Sequence, residues 1–155
     1  MSSFPATDHA HSACVDTAHQ RFDAVAAASG KRPGIHVKPV FDVLLSQHRA
    51  FTAYEVIDQL ADKGKRLQAT QVYRALEELI EMELIHRIET KNAYMACHNG
   101  EGCHRPQLFI CTSCDRVAEI NSDPIQETIT KTAQSSGFVV ESQKVELLGL
   151  CPDCA

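Results

Sequence analysis

Two Cys-x-x-Cys pairs, Cys111-Thr-Ser-Cys114 and Cys151-Pro-Asp-Cys154, constrain this chain more than any other feature. Four thiolates delivered in two such pairs can close a tetrahedron around zinc, the geometry of a structural site. The 36 residues between the pairs exceed ordinary ribbon spacing, so they must form a folded excursion that brings the chain back. The competing readings are two unrelated thiol pairs or a redox couple. A redox pair of the thioredoxin type opens a long helix that lowers its thiol pKa, and no such helix is predicted around Cys151 and Cys154. The expectation is a structural zinc held by Cys111, Cys114, Cys151 and Cys154.

Cysteine usage points the same way. Of seven cysteines, six (Cys97, Cys103, Cys111, Cys114, Cys151 and Cys154) fall in the last 59 residues, and Cys14 lies outside. Residues 1–13 hold neither the basic nor the apolar segment of a secretory leader. No apolar run reaches the roughly 18–20 residues that span a bilayer. A cytoplasmic location without membrane contact is therefore expected. In a reducing compartment clustered thiols bind metal more often than they form disulfides, and an odd count fits no simple disulfide framework.

The 155 residues suffice for one domain or two small ones. Net charge is −5, and both halves are acidic: residues 1–89 hold 10 Lys and Arg against 12 Asp and Glu, residues 90–155 hold 5 against 8. This excludes a generally basic nucleic-acid coat, so any DNA contact must come from a local patch.

Apolar periodicity divides the chain further. Residues 1–15 read as a disordered tail. A first helix is predicted over 16–29, with Phe22, Val25 and Ala26 inward and Gly30 ending it. A second is predicted over 37–48, with Val37, Val40, Phe41, Leu44 and Leu45 on one stripe and Pro39 in the tolerant first turn. Thr52 and Glu55 form a capping box for a third helix, which Gly64 terminates. A fourth, over 70–82, carries Gln71, Tyr73 and Arg74 on its early turns and Glu77, Glu78 and Glu81 on its late ones. Between Lys63 and Leu76 there are four basic residues and no acidic one, so only the start of this helix suits a polyanion.

Residues 84–89 and 94–97 then read as a hairpin around 90–93. Helices followed by such a hairpin make the winged helix-turn-helix pattern, in which the last helix enters the major groove and the hairpin is the wing. Residues 107–111 and 117–120 read as strands, 123–136 as a helix and 138–150 as β-rich. The fold expected is α+β: a winged-helix domain over 16–91, a hinge and metal-binding loop over 92–105, and an α/β domain over 106–155.

A second donor set is scattered: His86 on the first wing strand, Cys97 at the end of the second, His104 in the loop and Glu119 beyond it. These are nitrogen, sulfur and oxygen donors of the kinds zinc accepts, with His98 and Cys103 competing nearby. Spacing alone does not single out these four.

The stretches Phe51-Thr52-Ala53-Tyr54-Glu55, Val72-Tyr73-Arg74-Ala75-Leu76 and Leu84-Ile85-His86-Arg87-Ile88-Glu89, with both cysteine pairs, resemble the ferric uptake regulator superfamily. Within it they are most similar to the zinc-sensing branch. The resemblance covers about residues 16–155. It implies a homodimer whose C-terminal domain is the dimerisation domain. It also implies zinc-promoted binding to palindromic operator DNA and repression of zinc-uptake genes. It assigns His86, Cys97, His104 and Glu119 to a regulatory site, giving two zinc ions per chain. It places Tyr73 and Arg74 on the recognition helix, Tyr54 on DNA, and Asp58 in contacts between neighbouring dimers. Relatives carry Thr just before the Val-Tyr-Arg triplet, where this chain has Gln71, with Thr70 one earlier. Lys65, Arg66, Gln71 and Arg74 complete the expected DNA contacts, with Arg32 and Lys38 beside them. A soft thiolate at Cys97 favours zinc; iron, manganese or nickel is the alternative.

An enzyme is not expected, nor a small-molecule substrate. A nucleoside-deaminase site needs His-x-Glu with Pro-Cys-x-x-Cys. Here His98 and Glu101 have the wrong spacing, and Cys151 follows Leu150 rather than proline. Cys14 reads as a buried thiol, and His9 and His11 as tail residues.

Overall fold

The computed structural model describes residue 4, residues 11–98 and residues 105–155. His104 and Cys103, and with them part of the predicted loop and most of the predicted tail, lie outside the described residues.

The N-terminal half consists of α1 (His11–Ser29), α2 (Val37–Leu45), β1 (Phe51–Thr52), α3 (Ala53–Asp62), α4 (Ala69–Glu81), β2 (Ile85–Ile88) and β3 (Ala93–Ala96). Local chemistry sets the boundaries. The Thr52 side chain accepts from the Glu55 backbone N–H while the Glu55 carboxylate accepts from Thr52 N–H, the reciprocal cap expected. At the far end of α3, Gly64 adopts φ +79°, a conformation that costs other residues more. That turn lets Lys65 N–H reach Leu60 O and Gly64 N–H reach Ala61 O, satisfying carbonyls the helix leaves open. Helices α2, α3 and α4 bury Val40, Phe41, Leu44, Val56, Leu60, Val72, Leu76 and Leu79 in one core, joined by Phe22 of α1. Truncating one of these large side chains to alanine costs about 2–5 kcal/mol.

Helix α2 ends at Leu45 rather than at 48. Ser46 turns its hydroxyl back to Val43 O, and His48 is released into hydrogen bonds of its own. Helix α1 starts at His11, five residues before the predicted start. The two-residue strand β1 was not predicted. It pairs antiparallel with β3 (Phe51 with Tyr94, Thr52 with Ala93) and makes the sheet order β1-β3-β2. This sheet therefore extends into the segment read as a hinge.

The C-terminal half comprises β4 (Gln107–Cys111), β5 (Val117–Ile120), α5 (Asp123–Ser135) and β6 (Val145–Gly149). Strand β5 runs antiparallel to β4, and β6 returns parallel to it on the other side, giving the order β5-β4-β6. The β-rich stretch predicted over 138–150 contracts to β6. Phe138 and Val139, apolar enough to suggest a strand, are 67% and 81% exposed. Helix α5 buries none of its residues.

The two halves share a second apolar cluster. Ala50, Ile88, Ala93 and Met95 from the first half meet Leu108, Ile110 and Val117 from the second, all buried.

Candidate metal centres and DNA-facing residues

The C-terminal sheet explains how 36 residues can return to a point. Cys111 ends β4 and pairs with Gly149 of β6, so Cys151, two residues on, arrives beside it. Thr112 N–H donates to Gly149 O at 2.8 Å and fastens the first cysteine turn to this strand. Asp115, at φ +59°, closes that turn. The four sulfurs lie within 4.8 Å of one another. Cys114 Sγ and Cys151 Sγ are 3.8 Å apart, far beyond a disulfide. Two Zn–S bonds at the tetrahedral angle put sulfurs about 3.8 Å apart, so the cluster fits that ion.

Its electrostatics fit too. Cys151 N–H donates to Cys111 Sγ at 3.4 Å. Such backbone bonds pull the Cys111 thiol down to about 6. Arg116 donates to Cys114 Sγ at 3.3 Å and to Cys151 Sγ at 3.0 Å, which lowers Cys114. Cys154 is pushed up to about 12, first by Cys151 and also by Cys114 and Cys111. Four neighbouring thiolates without a cation repel one another, and a bound dication relieves that crowding.

The second cluster spans the two halves. His86 sits on β2, Cys97 just after β3 and Glu119 on β5, with ligand atoms inside 4.8 Å. His86 Nε2 is 3.1 Å from Glu119 Oε1, and Cys97 Sγ is 3.7 Å from the same oxygen. Tetrahedral edges around zinc come to about 3.3 Å for N to O and 3.6 Å for S to O. The side chains of His86 and Glu119 are only 13% and 3% exposed, so water competes little. Burial works against a charge on His86, yet hydrogen bonds to Cys97 and Glu119 outweigh it and push its pKa up to about 9. Of the four expected regulatory residues, three therefore converge; His104 is outside the described residues.

Sequence reasoning missed Arg21. It reaches from α1 to donate to Cys97 Sγ at 3.3 Å and to Glu83 O at 2.7 Å. A lone arginine 76 positions from its partner leaves no sequence signal. Nor are the histidines as expected. His11 is no tail residue: its Nε2 is 2.7 Å from Leu45 O and its Nδ1 3.1 Å from His48 Nε2. His48 Nδ1 is in turn 3.1 Å from His98 Nε2. Because a carbonyl only accepts, His11 donates from Nε2 to Leu45 O; with neutral rings the chain then runs His98 to His48 to His11, each donating from Nε2. His98 thus spends Nε2 on His48, and its backbone N–H goes to Glu119 Oε2 at 3.1 Å. Cys14 is half-buried on α1 rather than buried.

Tyr54 is 70% exposed in the first turn of α3, and Tyr73 is 37% exposed on α4. Arg74, Lys65, Arg66, Arg32 and Asp58 are exposed. Lys38 lies over the Phe22 ring. Gln71 is half-buried; its side-chain oxygen accepts Gln68 N–H at 2.9 Å and its amide nitrogen lies 3.3 Å from His36 Nε2. This makes it a helix cap as well as an expected DNA contact.

Residues 37–148 match the Ferric uptake regulator family. The Zinc uptake regulation protein of Escherichia coli (strain K12) is 30% identical over 116 residues, covering 74% of this chain and 68% of that protein. The Ferric uptake regulation protein of Bordetella parapertussis is 28% identical over 109 residues, covering 70% and 78%. A solved zinc uptake regulator complexed with zinc and DNA superimposes with a TM-score of 0.82 at 26% identity, covering 90% of this chain and 93% of that one.

Proposed function

The chain belongs to the ferric uptake regulator family, and from that premise we propose that it is a zinc-responsive transcriptional repressor. A homodimer binds palindromic operator DNA of zinc-uptake genes in the cytoplasm when its regulatory site is filled, and it catalyses no reaction. The carrying observation is the meeting of His86, Cys97 and Glu119 from both halves of the molecule. The solved relative in complex with zinc and DNA supports the reading. Among the described residues no helix is long and apolar enough to cross a membrane.

Two zinc ions per chain are assigned, one held by Cys111, Cys114, Cys151 and Cys154, the other by His86, Cys97, Glu119 and His104. In the second site the ion supplies a divalent charge that joins donors from separate elements. His86 fixes the end of β2, Cys97 the end of β3, and Glu119 anchors both to the C-terminal sheet. Arg21 brings α1 into the same contact and favours the thiolate at Cys97. Together these residues set the angle between α4 and the C-terminal domain, over 106–155. A dimer must hold two reading helices at about one helical turn of DNA. When the halves sample other angles, apparent affinity falls with the competent fraction.

Dimerisation is supported by uncovered apolar side chains in the C-terminal half. Leu147, Leu148 and Leu150 on or beside the edge strand β6 are 48–56% exposed. On DNA, Tyr54, Tyr73 and Arg74 form the reading surface, with Lys65, Arg66 and Gln71 around them. Arg74 suits bidentate contact with guanine. Asp58 is assigned to contacts between neighbouring dimers.

Identity alone does not choose the metal, since the zinc and ferric regulators score almost alike. The Cys97 thiolate supports zinc, because soft sulfur prefers zinc to iron or manganese. The test is a gel shift on a palindromic, A·T-rich duplex after chelation, then with zinc, iron(II), manganese or nickel restored. Zinc restoring the shift at the lowest free concentration supports the reading. A shift that ignores metal, or follows another metal first, contradicts it.

A further inference from the structure

The turn of a wing is ordinarily free to approach DNA. Here the turn between β2 and β3 is fastened to the C-terminal sheet instead. Glu146 on β6 uses both carboxylate oxygens: Oε1 accepts Glu89 N–H at 2.7 Å and Oε2 accepts Thr90 N–H at 2.9 Å. Lys144 pairs with Glu89, and Lys91 pairs with Asp115 at the end of the first cysteine turn. The Asp115 carbonyl also receives Ala50 N–H at 3.4 Å.

Register gives these contacts meaning. Leu108 of β4 pairs with Glu119 on one side and with Glu146 on the other. Paired residues point to the same sheet face. Glu119, Leu108 and Glu146 therefore form one row on the face that meets the N-terminal half, where Leu108 packs in the shared apolar cluster. The two carboxylates grip opposite ends of one strand. Glu119 meets His86 near the start of β2, and Glu146 meets the backbone just after its end. The first grip uses metal donors. The second uses two backbone N–H groups and the Thr90 side chain, and needs no ion.

We infer that Glu146 is a positioning residue, a metal-independent latch that makes the end of β2 the pivot about which the reading half turns when the regulatory site empties. This rests on the function proposed above and deepens it. The latch converts an unrestricted hinge into a single-axis one, so filling the His86 site closes one remaining degree of freedom. It also assigns the wing turn to docking rather than to DNA. Burial works against the charge on Glu146, but the Thr90 side chain, the backbone N–H groups of Thr90 and Glu89, and Lys144 together hold its carboxyl below the ordinary range, so the latch is charged at neutral pH.

The test uses the full-length, zinc-loaded protein and two variants, Glu146→Gln and Glu146→Asp. The first removes the charge and one acceptor. The second keeps the charge but shortens the reach, and it decides the matter if the first does not fold. Amide hydrogen exchange at Glu89 and Thr90 should quicken at least about tenfold in both, the scale of a lost charge-assisted hydrogen bond. Zinc content and dimerisation should be unchanged. Operators with half-sites moved apart or together by one base pair should then be discriminated less sharply than by the parent protein. Unchanged exchange at Glu89 and Thr90, or an undiminished spacing preference, overturns the latch. If the parent protein binds no duplex with zinc, the repressor reading fails by itself, while the exchange rates still decide whether Glu146 holds the turn.

Discussion

Nε2 of His86 lies 3.1 Å from Oε1 of Glu119, so a strand of the reading half and a strand of the C-terminal sheet meet through two largely buried side chains. Cys97 approaches the same oxygen at 3.7 Å.

Cys97→Ser replaces a soft donor with a poor one while keeping its size. The variant should fold, dimerise and retain the zinc of the four-cysteine site. Its zinc-dependent operator affinity should drop about 5–150-fold, the usual range of allosteric coupling. Metal analysis and a binding titration check both halves of the statement. An unfolded Cys97→Ser chain would show that this site is structural after all.

Cys151→Ser strikes the other cluster. It leaves three crowded thiols around Arg116 and unties the end of β6 from Cys111. Loss of a structural metal belongs to the largest class of effects, above about 4 kcal/mol. Denaturant unfolding should show an early, broadened transition, and sedimentation should show monomer. A wild-type midpoint with full zinc content would contradict the assignment.

Arg74→Ala should leave both metals and the unfolding midpoint intact, because Arg74 is exposed on α4. Operator affinity should weaken by about 1–3 kcal/mol, with discrimination relaxed at one base position. A competition assay over single-base operator variants reads this. Uniform weakening across all sequences would move Arg74 from a base to a phosphate.

His86 gives a pH dependence with a definite sign. In the metal-free protein its pKa is raised from 6.5 to about 9. Its charged contacts with Cys97 and Glu119 therefore stabilise the fold fully below pH 6.5 and cease to do so as pH rises through about 9. At pH 7.5 the ring carries a proton that metal binding at Nε2 must expel. Zinc titrations in buffers of different ionisation heat should show that release, and His86→Gln should release about one proton fewer. Identical heats in every buffer would contradict it.

Much of this was legible in the sequence because it is local. Thr52 and Glu55 lie three apart, and the cap they promised is present. The stripe of α2 became part of the core, and the two cysteine pairs came together across 36 residues as thiol chemistry required. What failed was short or non-local. A two-residue strand such as β1 has no period to detect. Phe138 and Val139 are apolar without being strand, since apolarity reports burial and theirs does not occur within one chain. His86, Cys97 and Glu119 sit on separate elements, so their donor types suggested a site but only the resemblance selected it. Arg21, Asp115 and Glu146 act through partners 24 to 76 residues away, and nothing local marks them.

The most direct measurement is the zinc affinity of the regulatory site with and without operator duplex, by competition against a chelator that spares the four-cysteine site. Coupling is reciprocal, so operator DNA should tighten zinc binding by the same factor, about 5–150-fold, by which zinc tightens operator binding. Equal zinc affinity in the presence and absence of the duplex would contradict the claim that the His86, Cys97 and Glu119 site governs the reading half.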